Sequence, residues 1–159
     1  MARLRLLAAL LLAAGLSWGC FATLEPVRHY VVRPVPARAI VQAALSQLGK
    51  PYAYGGRSSI TGFDCSGLVY WCYRRNGSVL PRTAQEQYTL GIGVRKHDLR
   101  AGDLVFFDTA SGRNKPAHVG IMISHDRFIH SPSSGETVRE DELRNNYWKR
   151  VYYGARRIE

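Results

Sequence analysis

The sequence is short of acids. Twelve Asp and Glu stand against 22 Lys and Arg over 159 residues, a net charge of +10. A chain so biased is drawn to anionic polymers or membrane surfaces. It lacks a nucleic-acid-binding motif, and its basic residues are spread along the chain, which argues against nucleic acid as the partner. It also lacks a long apolar run. Residues 6–16 form an uninterrupted stretch of eleven, short for a hydrocarbon core of about 30 Å. There is no internal repeat. The three cysteines and five histidines lack the clustered spacing of a zinc site, so neither metal nor cofactor is expected. A disulfide within the main part of the chain is equally disfavoured. Cys65 and Cys72 are seven apart, which on a helix means about 10.5 Å along the axis. A bridge requires Cα atoms within roughly 7 Å.

The eleven-residue run has the features of a secretory signal. Arg3 and Arg5 precede it, and Ser17-Trp18-Gly19 offers small residues at −3 and −1 before Cys20. Residues 1–19 therefore read as a signal peptide, with an uncleaved membrane anchor as the alternative. The Gly-Cys junction resembles the lipobox of bacterial lipoproteins, in which the cysteine is lipidated. Ser17 stands where Leu is usual, and Trp18 is bulky for its place. Cleavage after Gly19 or Ala22 without lipidation is the other outcome. Phe21 is not the Asp that retains many lipoproteins at the inner membrane, so a lipid on Cys20 implies the outer membrane where the organism has one. Without residues 1–19 the balance is 20 basic to 12 acidic residues, a net +8. Cys65 then enters an oxidising compartment unpaired. A spare thiol is a liability there, which makes a working thiol the better reading.

Residues 20–36 read as a tether broken by Pro26, Pro34 and Pro36. The folded domain is expected over 37–159. A helix should start at Ala37 and stop at Gly49. After a Gly-rich loop, Asp64 is placed to cap a helix from Cys65 to about Asn76, with Gly77 beyond it. Thr83-Ala84-Gln85-Glu86 is a capping-box pattern. From Leu104 the periodicity becomes that of strands: 104–108, then 118–124 and 127–131 as a hairpin, and 151–158 as the closing strand. A helical turn is expected over 141–147. Helices first and a meander of strands after them argue for an α+β domain with the helices packed on an antiparallel sheet.

Cys65 at a helix start sees the positive end of the macrodipole, which should favour the thiolate. Free N–H groups there could also hold an oxyanion. Asp64 opposes the thiolate and is better read as the cap. The commoner fate of a cysteine is a small core residue. A nucleophile needs a base. His29 lies in the tether, His97 in a charged loop and His125 in a turn. His118 and His130 lie on rigid paired strands and are the candidates. They can share one face only if the connection between their strands has three residues or a bulge. A strict two-residue loop at His125-Asp126 sends them to opposite faces.

Phe63-Asp64-Cys65-Ser66-Gly67-Leu68-Val69, Leu80-Pro81-Arg82-Thr83, Ala101-Gly102-Asp103-Leu104-Val105-Phe106-Phe107, His118-Val119-Gly120-Ile121 and Arg127-Phe128-Ile129-His130 together closely resemble the NlpC/P60 cysteine peptidases. The resemblance runs from about Ala37 to Ile158. It implies a papain-like α+β core and hydrolysis of peptidoglycan stem peptides in the cell envelope, typically between D-γ-glutamate and a diamino acid such as meso-diaminopimelate. It implies Cys65 as nucleophile, His118 as general base and acid, and His130 as the polar residue that orients the imidazole. Tyr52 matches the tyrosine whose hydroxyl lies by the oxyanion, with Tyr54 as its rival. Ser66 and Arg82 match positions near the cleft. A thioester intermediate follows. Two other readings stay open: a non-catalytic envelope-binding module, and an amidase or acyltransferase on the same fold. The sequence names no regulatory partner.

Overall fold

The computed structural model describes residues 30–110 and 114–159. The expected signal peptide, Cys20 and His29 lie outside the described residues. Among the described residues, no helix is long and apolar enough to cross a membrane.

Residues 30–36 form no regular element, but they are docked. Val79 N–H donates to the Val31 carbonyl at 2.8 Å and Arg33 N–H to Ser78 Oγ at 3.0 Å. Helix α1 (Ala37–Leu45) follows, burying Ile40 and Ala44. A small antiparallel hairpin of β1 (Arg57–Ser58) and β2 (Gly62–Phe63) leads into α2 (Cys65–Arg75). That helix has both expected ends. The Asp64 carboxylate accepts from Gly67 N–H at 2.7 Å. At the other end Gly77 has φ +81°, and Gly77 and Ser78 N–H return to the Arg74 and Tyr73 carbonyls, the paired bonds of a Schellman stop. The short α3 (Ala84–Tyr88) opens on Thr83 and Glu86 as a full capping box.

The remaining chain builds one six-stranded sheet, with every pairing antiparallel. Its strands are β3 (Ile92–Gly93), β4 (Leu104–Phe107), β5 (His118–Met122), β6 (Arg127–His130), β7 (Arg139–Glu142) and β8 (Tyr152–Arg157), in the order β3-β8-β4-β5-β6-β7. Side chains alternate across it. Phe106, Val119, Ile121 and Ile129 face a core shared with Ile40 of α1 and Leu68, Val69 and Cys72 of α2. Val105, Phe107, Met122 and Phe128 face a second core with Trp148, on α4 (Asn146–Val151). The central strand β4 is buried at all four positions, as a strand covered on both faces must be. Asp103, 1% exposed, is held by Arg157 through Nε at 2.7 Å and Nη2 at 2.9 Å. That pair ties the entry of β4 to the exit of β8.

One expected element is corrected. The helical turn over 141–147 is instead the end of strand β7, and the helix begins only at Asn146. Arg139-Glu140-Asp141-Glu142 carries no apolar alternation. It is an edge strand, where charge is tolerated and even protective.

Candidate active site

Cys65 is the first residue of α2, and much of the surrounding structure fixes that helix start. Asp64 caps it and is gripped by Arg82 as a two-pronged ion pair, Nη2 to Oδ2 at 2.5 Å and Nη1 to Oδ1 at 2.9 Å. Arg82 also reaches Ser66 Oγ at 3.0 Å and the Gly56 carbonyl at 3.2 Å. Buried Gln87 donates to the Ser66 and Pro81 carbonyls. Ser131, just past β6, donates to the Phe63 carbonyl at 2.7 Å. Gly67 packs so tightly on the Gly56 carbonyl that no side chain fits there.

His118 and His130 meet directly, Nε2 to Nδ1 at 2.8 Å. The register makes this possible. Ile121 faces Ile129, Met122 faces Phe128, and Ile123 N–H donates to the Arg127 carbonyl. Residues 124–126 are therefore a three-residue connection, the condition set by the sequence for the two histidines to share a face. Beyond His130 stands Asp141 of β7. Its Oδ2 takes His130 Nε2 at 3.0 Å and Trp148 Nε1 at 3.0 Å, with Arg139 Nη2 at 3.5 Å. Trp148 stacks on His118 at 5.6 Å between centroids and meets His130 edge-on at 5.0 Å. Sequence reasoning found neither Asp141 nor Trp148.

This row of groups has one consistent proton arrangement. Burial pushes the Asp141 carboxyl up, but the His130 and Trp148 hydrogen bonds outweigh it and hold its pKa at about 2. It is an acceptor only. Burial holds His130 neutral, against the pull of Asp141, so its Nε2 carries the hydrogen and its Nδ1 accepts. Burial, with His130 beside it, lowers His118 to about 3. His118 therefore donates from Nε2 and keeps a lone pair on Nδ1.

Cys65 reaches the same strand one residue further on. The backbone N–H groups of Val119, which follows His118, and of Ser66 are turned toward its sulfur and favour the ionised form. The residue is partly open to the cleft yet densely surrounded by protein. Burial pushes the thiol pKa up, and the Asp64 carboxylate adds to it, more than these donors lower it. That direction runs against the thiolate expected from the helix start, because desolvation and a neighbouring carboxylate both disfavour the ionised form. Cys72 is a free thiol fully buried in the core.

Of the two tyrosines, Tyr52 couples electrostatically to Cys65 and Asp64, and Tyr54 lines the cleft that holds Cys65. Burial raises the Tyr52 hydroxyl, and the neighbouring Cys65 and Asp64 raise it further, so it remains a donor. Tyr54 is 94% exposed. Both Ser66 and Arg82 stand in the cleft wall, with Asp64, Cys65, Thr83 and Ala117. Their polar atoms are committed to the Asp64 network, which makes them supports of the helix start. His97 and His125 are solvated, as expected. Among the described residues, no group of three or more His, Cys, Asp or Glu is placed to hold a metal ion.

Residues 49–157 match the model of the NlpC/P60 family. The chain is 45% identical over 117 residues to the murein DD-endopeptidase MepH of Escherichia coli, covering 72% of this chain and 43% of that protein. It is 36% identical over 121 residues to the gamma-D-glutamyl-L-lysine dipeptidyl-peptidase of Bacillus subtilis, covering 76% of this chain and 40% of that one. This chain thus spans less than half the length of either relative. Its fold superposes on the crystal structure of an NlpC/P60 family protein from Bacillus cereus with a TM-score of 0.73 and 33% identity, over 80% of this chain and 41% of that one.

Proposed function

The chain belongs to the NlpC/P60 family, and from that premise we propose that it is a peptidoglycan hydrolase, a cysteine endopeptidase cutting stem peptides between D-γ-glutamate and a diamino acid. The observation that supports this is the row His118–His130–Asp141, with Val119, the strand residue after His118, presenting its backbone N–H to Cys65 at the start of α2. His118 Nδ1 takes the thiol proton as Cys65 Sγ attacks the amide carbonyl. The imidazolium so formed is stabilised through His130 by the Asp141 carboxylate. Cys65 N–H and the Tyr52 hydroxyl hold the oxyanion. His118 then protonates the leaving amine, leaving a thioester. Water, deprotonated by His118, hydrolyses that thioester and restores the thiol. No metal enters these steps.

Digestion of purified sacculi tests this reading. New termini at the D-γ-glutamyl bond are the expected product, and they should be absent with Cys65→Ala. Undiminished release by that variant would overturn Cys65 as nucleophile. A second reading, cleavage of the DD cross-link, is favoured by the 45% identity to a murein DD-endopeptidase. Mass spectrometry of the same digest separates the two, and identifies an amidase or acyltransferase as well. A protein that binds sacculi and releases nothing would be the non-catalytic module.

The site of action in this proposal is the cell envelope, with residues 1–19 as the signal peptide and Cys20 as the lipid-bearing residue. Membrane fractionation should find the wild type with the membrane and Cys20→Ser in the soluble fraction.

A further inference from the structure

The cleft that holds Cys65 and a second groove share one residue of the β1–β2 hairpin. Arg57 lines both, and the second groove lies on the outer side of α2, with Tyr70, Trp71, Arg74 and Arg75. The Arg57 guanidinium lies 5.9 Å from the centre of the Tyr70 ring. Arg74 lies 5.9 Å from the same ring and donates to the Tyr70 hydroxyl at 3.0 Å. Arg75 lies 5.6 Å from Trp71. Several other arginines are paired with carboxylates, Arg82 with Asp64, Arg127 with Glu140, Arg139 with Glu136 and Arg157 with Asp103, while Arg150 and Arg156 lie singly over Tyr147 and Tyr88. Among the described residues, Arg57, Arg74 and Arg75 have no carboxylate partner, and no acid lines their groove.

A position in the last helical turn explains part of this, since cations there complement the helix dipole. It accounts for Arg74 and Arg75. It leaves Arg57, which comes from another element and adds a third positive charge to the same small area at an electrostatic cost. The guanidiniums lie over rings, and apart from the Arg74 bond to the Tyr70 hydroxyl they leave N–H groups of the kind that receive carboxylates in pairs of hydrogen bonds. The occupant must be anionic, and it must be continuous with what lies in the cleft, because Arg57 borders both.

We propose that this groove is a carboxylate subsite, which binds the free carboxylates of stem peptides further along the same peptidoglycan substrate whose scissile bond lies at Cys65. It rests on the endopeptidase reading above. The consequence is a preference for polymeric over short substrates, acting on binding rather than on the chemical step.

The test is the full chain carrying Arg74→Glu and Arg75→Glu together, assayed on a short soluble stem peptide and on sacculi stripped of other anionic polymers. Turnover of the short peptide should stay within about twofold of wild type. Turnover of sacculi should fall about tenfold or more at low salt, mainly through KM, with the difference shrinking as salt screens the contacts. Equal loss on both substrates, or no loss on sacculi, would overturn the proposal. So would a loss that appears only with unstripped sacculi or with anionic lipid vesicles, which would assign the groove to another polyanion. Arg74→Lys with Arg75→Lys controls for folding and should lose less. Should wild type cleave neither substrate, the catalytic reading fails by itself. Sedimentation with stripped sacculi then decides the groove, weaker binding of the Glu variant being the supporting result and equal binding the overturning one.

Discussion

His118 and His130 stand 2.8 Å apart, ring nitrogen to ring nitrogen, across a pair of strands whose connection is one residue longer than a tight hairpin. Side chains on a strand alternate, so that single residue decides whether the two imidazoles share a face. Deleting His125 should shorten the loop to two residues and send one imidazole to the other face. Sacculus hydrolysis is expected to disappear, whereas His125→Ala, at an exposed position, should keep near wild-type rates. A deletion variant that folds and retains activity would contradict this account of the register.

Asp141→Asn keeps the shape of the relay and removes its charge. The imidazolium formed during attack then loses its distant counter-ion, and the proton arrangement is no longer enforced. We expect kcat to fall on the order of 10²-fold, a typical share for general acid–base groups, with KM little changed. The Asp141 charge raises the proton affinity of His118. Its removal should therefore move the acid limb of kcat/KM to lower pH. A merely structural role would lower the melting temperature and leave that limb in place.

Arg82 grips Asp64 with two prongs in a partly buried setting. Arg82→Ala leaves that carboxylate without its partner, at a cost of about 3 kcal/mol. Arg82→Lys retains charge but not the fork and should lie between. Thermal unfolding measures the first effect. Activity should fall along with stability, because the same carboxylate caps the helix that carries Cys65.

Gly67→Ala would drive a methyl group into the Gly56 carbonyl, a backbone atom that cannot rotate away. The first turn of α2 must then shift. We expect a loss of activity larger than the loss of stability, read by comparing kcat/KM with the melting temperature.

Acid should weaken the fold. His118 is neutral when folded, its pKa lowered from 6.5 to about 3 by burial and by His130, and His130 is lowered as well. Below pH 6.5 the unfolded chain takes up protons that the folded site refuses. Stability is thus fully present above that pH and is lost as pH falls toward 3. Melting temperatures between about pH 7.5 and about pH 4 should decline, less steeply in His118→Gln.

The sequence by itself determined what neighbouring residues decide. Asp64 caps α2, Gly77 ends it, Thr83 and Glu86 open α3, and each acts on backbone within a turn of its own position. The placement of Cys65 at a helix start and of two histidines on paired strands followed from such local signals, together with the demand for an odd loop. Only the tertiary structure decided the rest. Asp141 lies in a charged edge strand with no periodic signal and acquires its role by pairing across the sheet. Arg82 reaches Asp64 from another element. The protonation of Cys65 depends on how much protein closes over its sulfur. Desolvation and through-space pairing depend on distance in the folded chain, and separation along the sequence does not encode it.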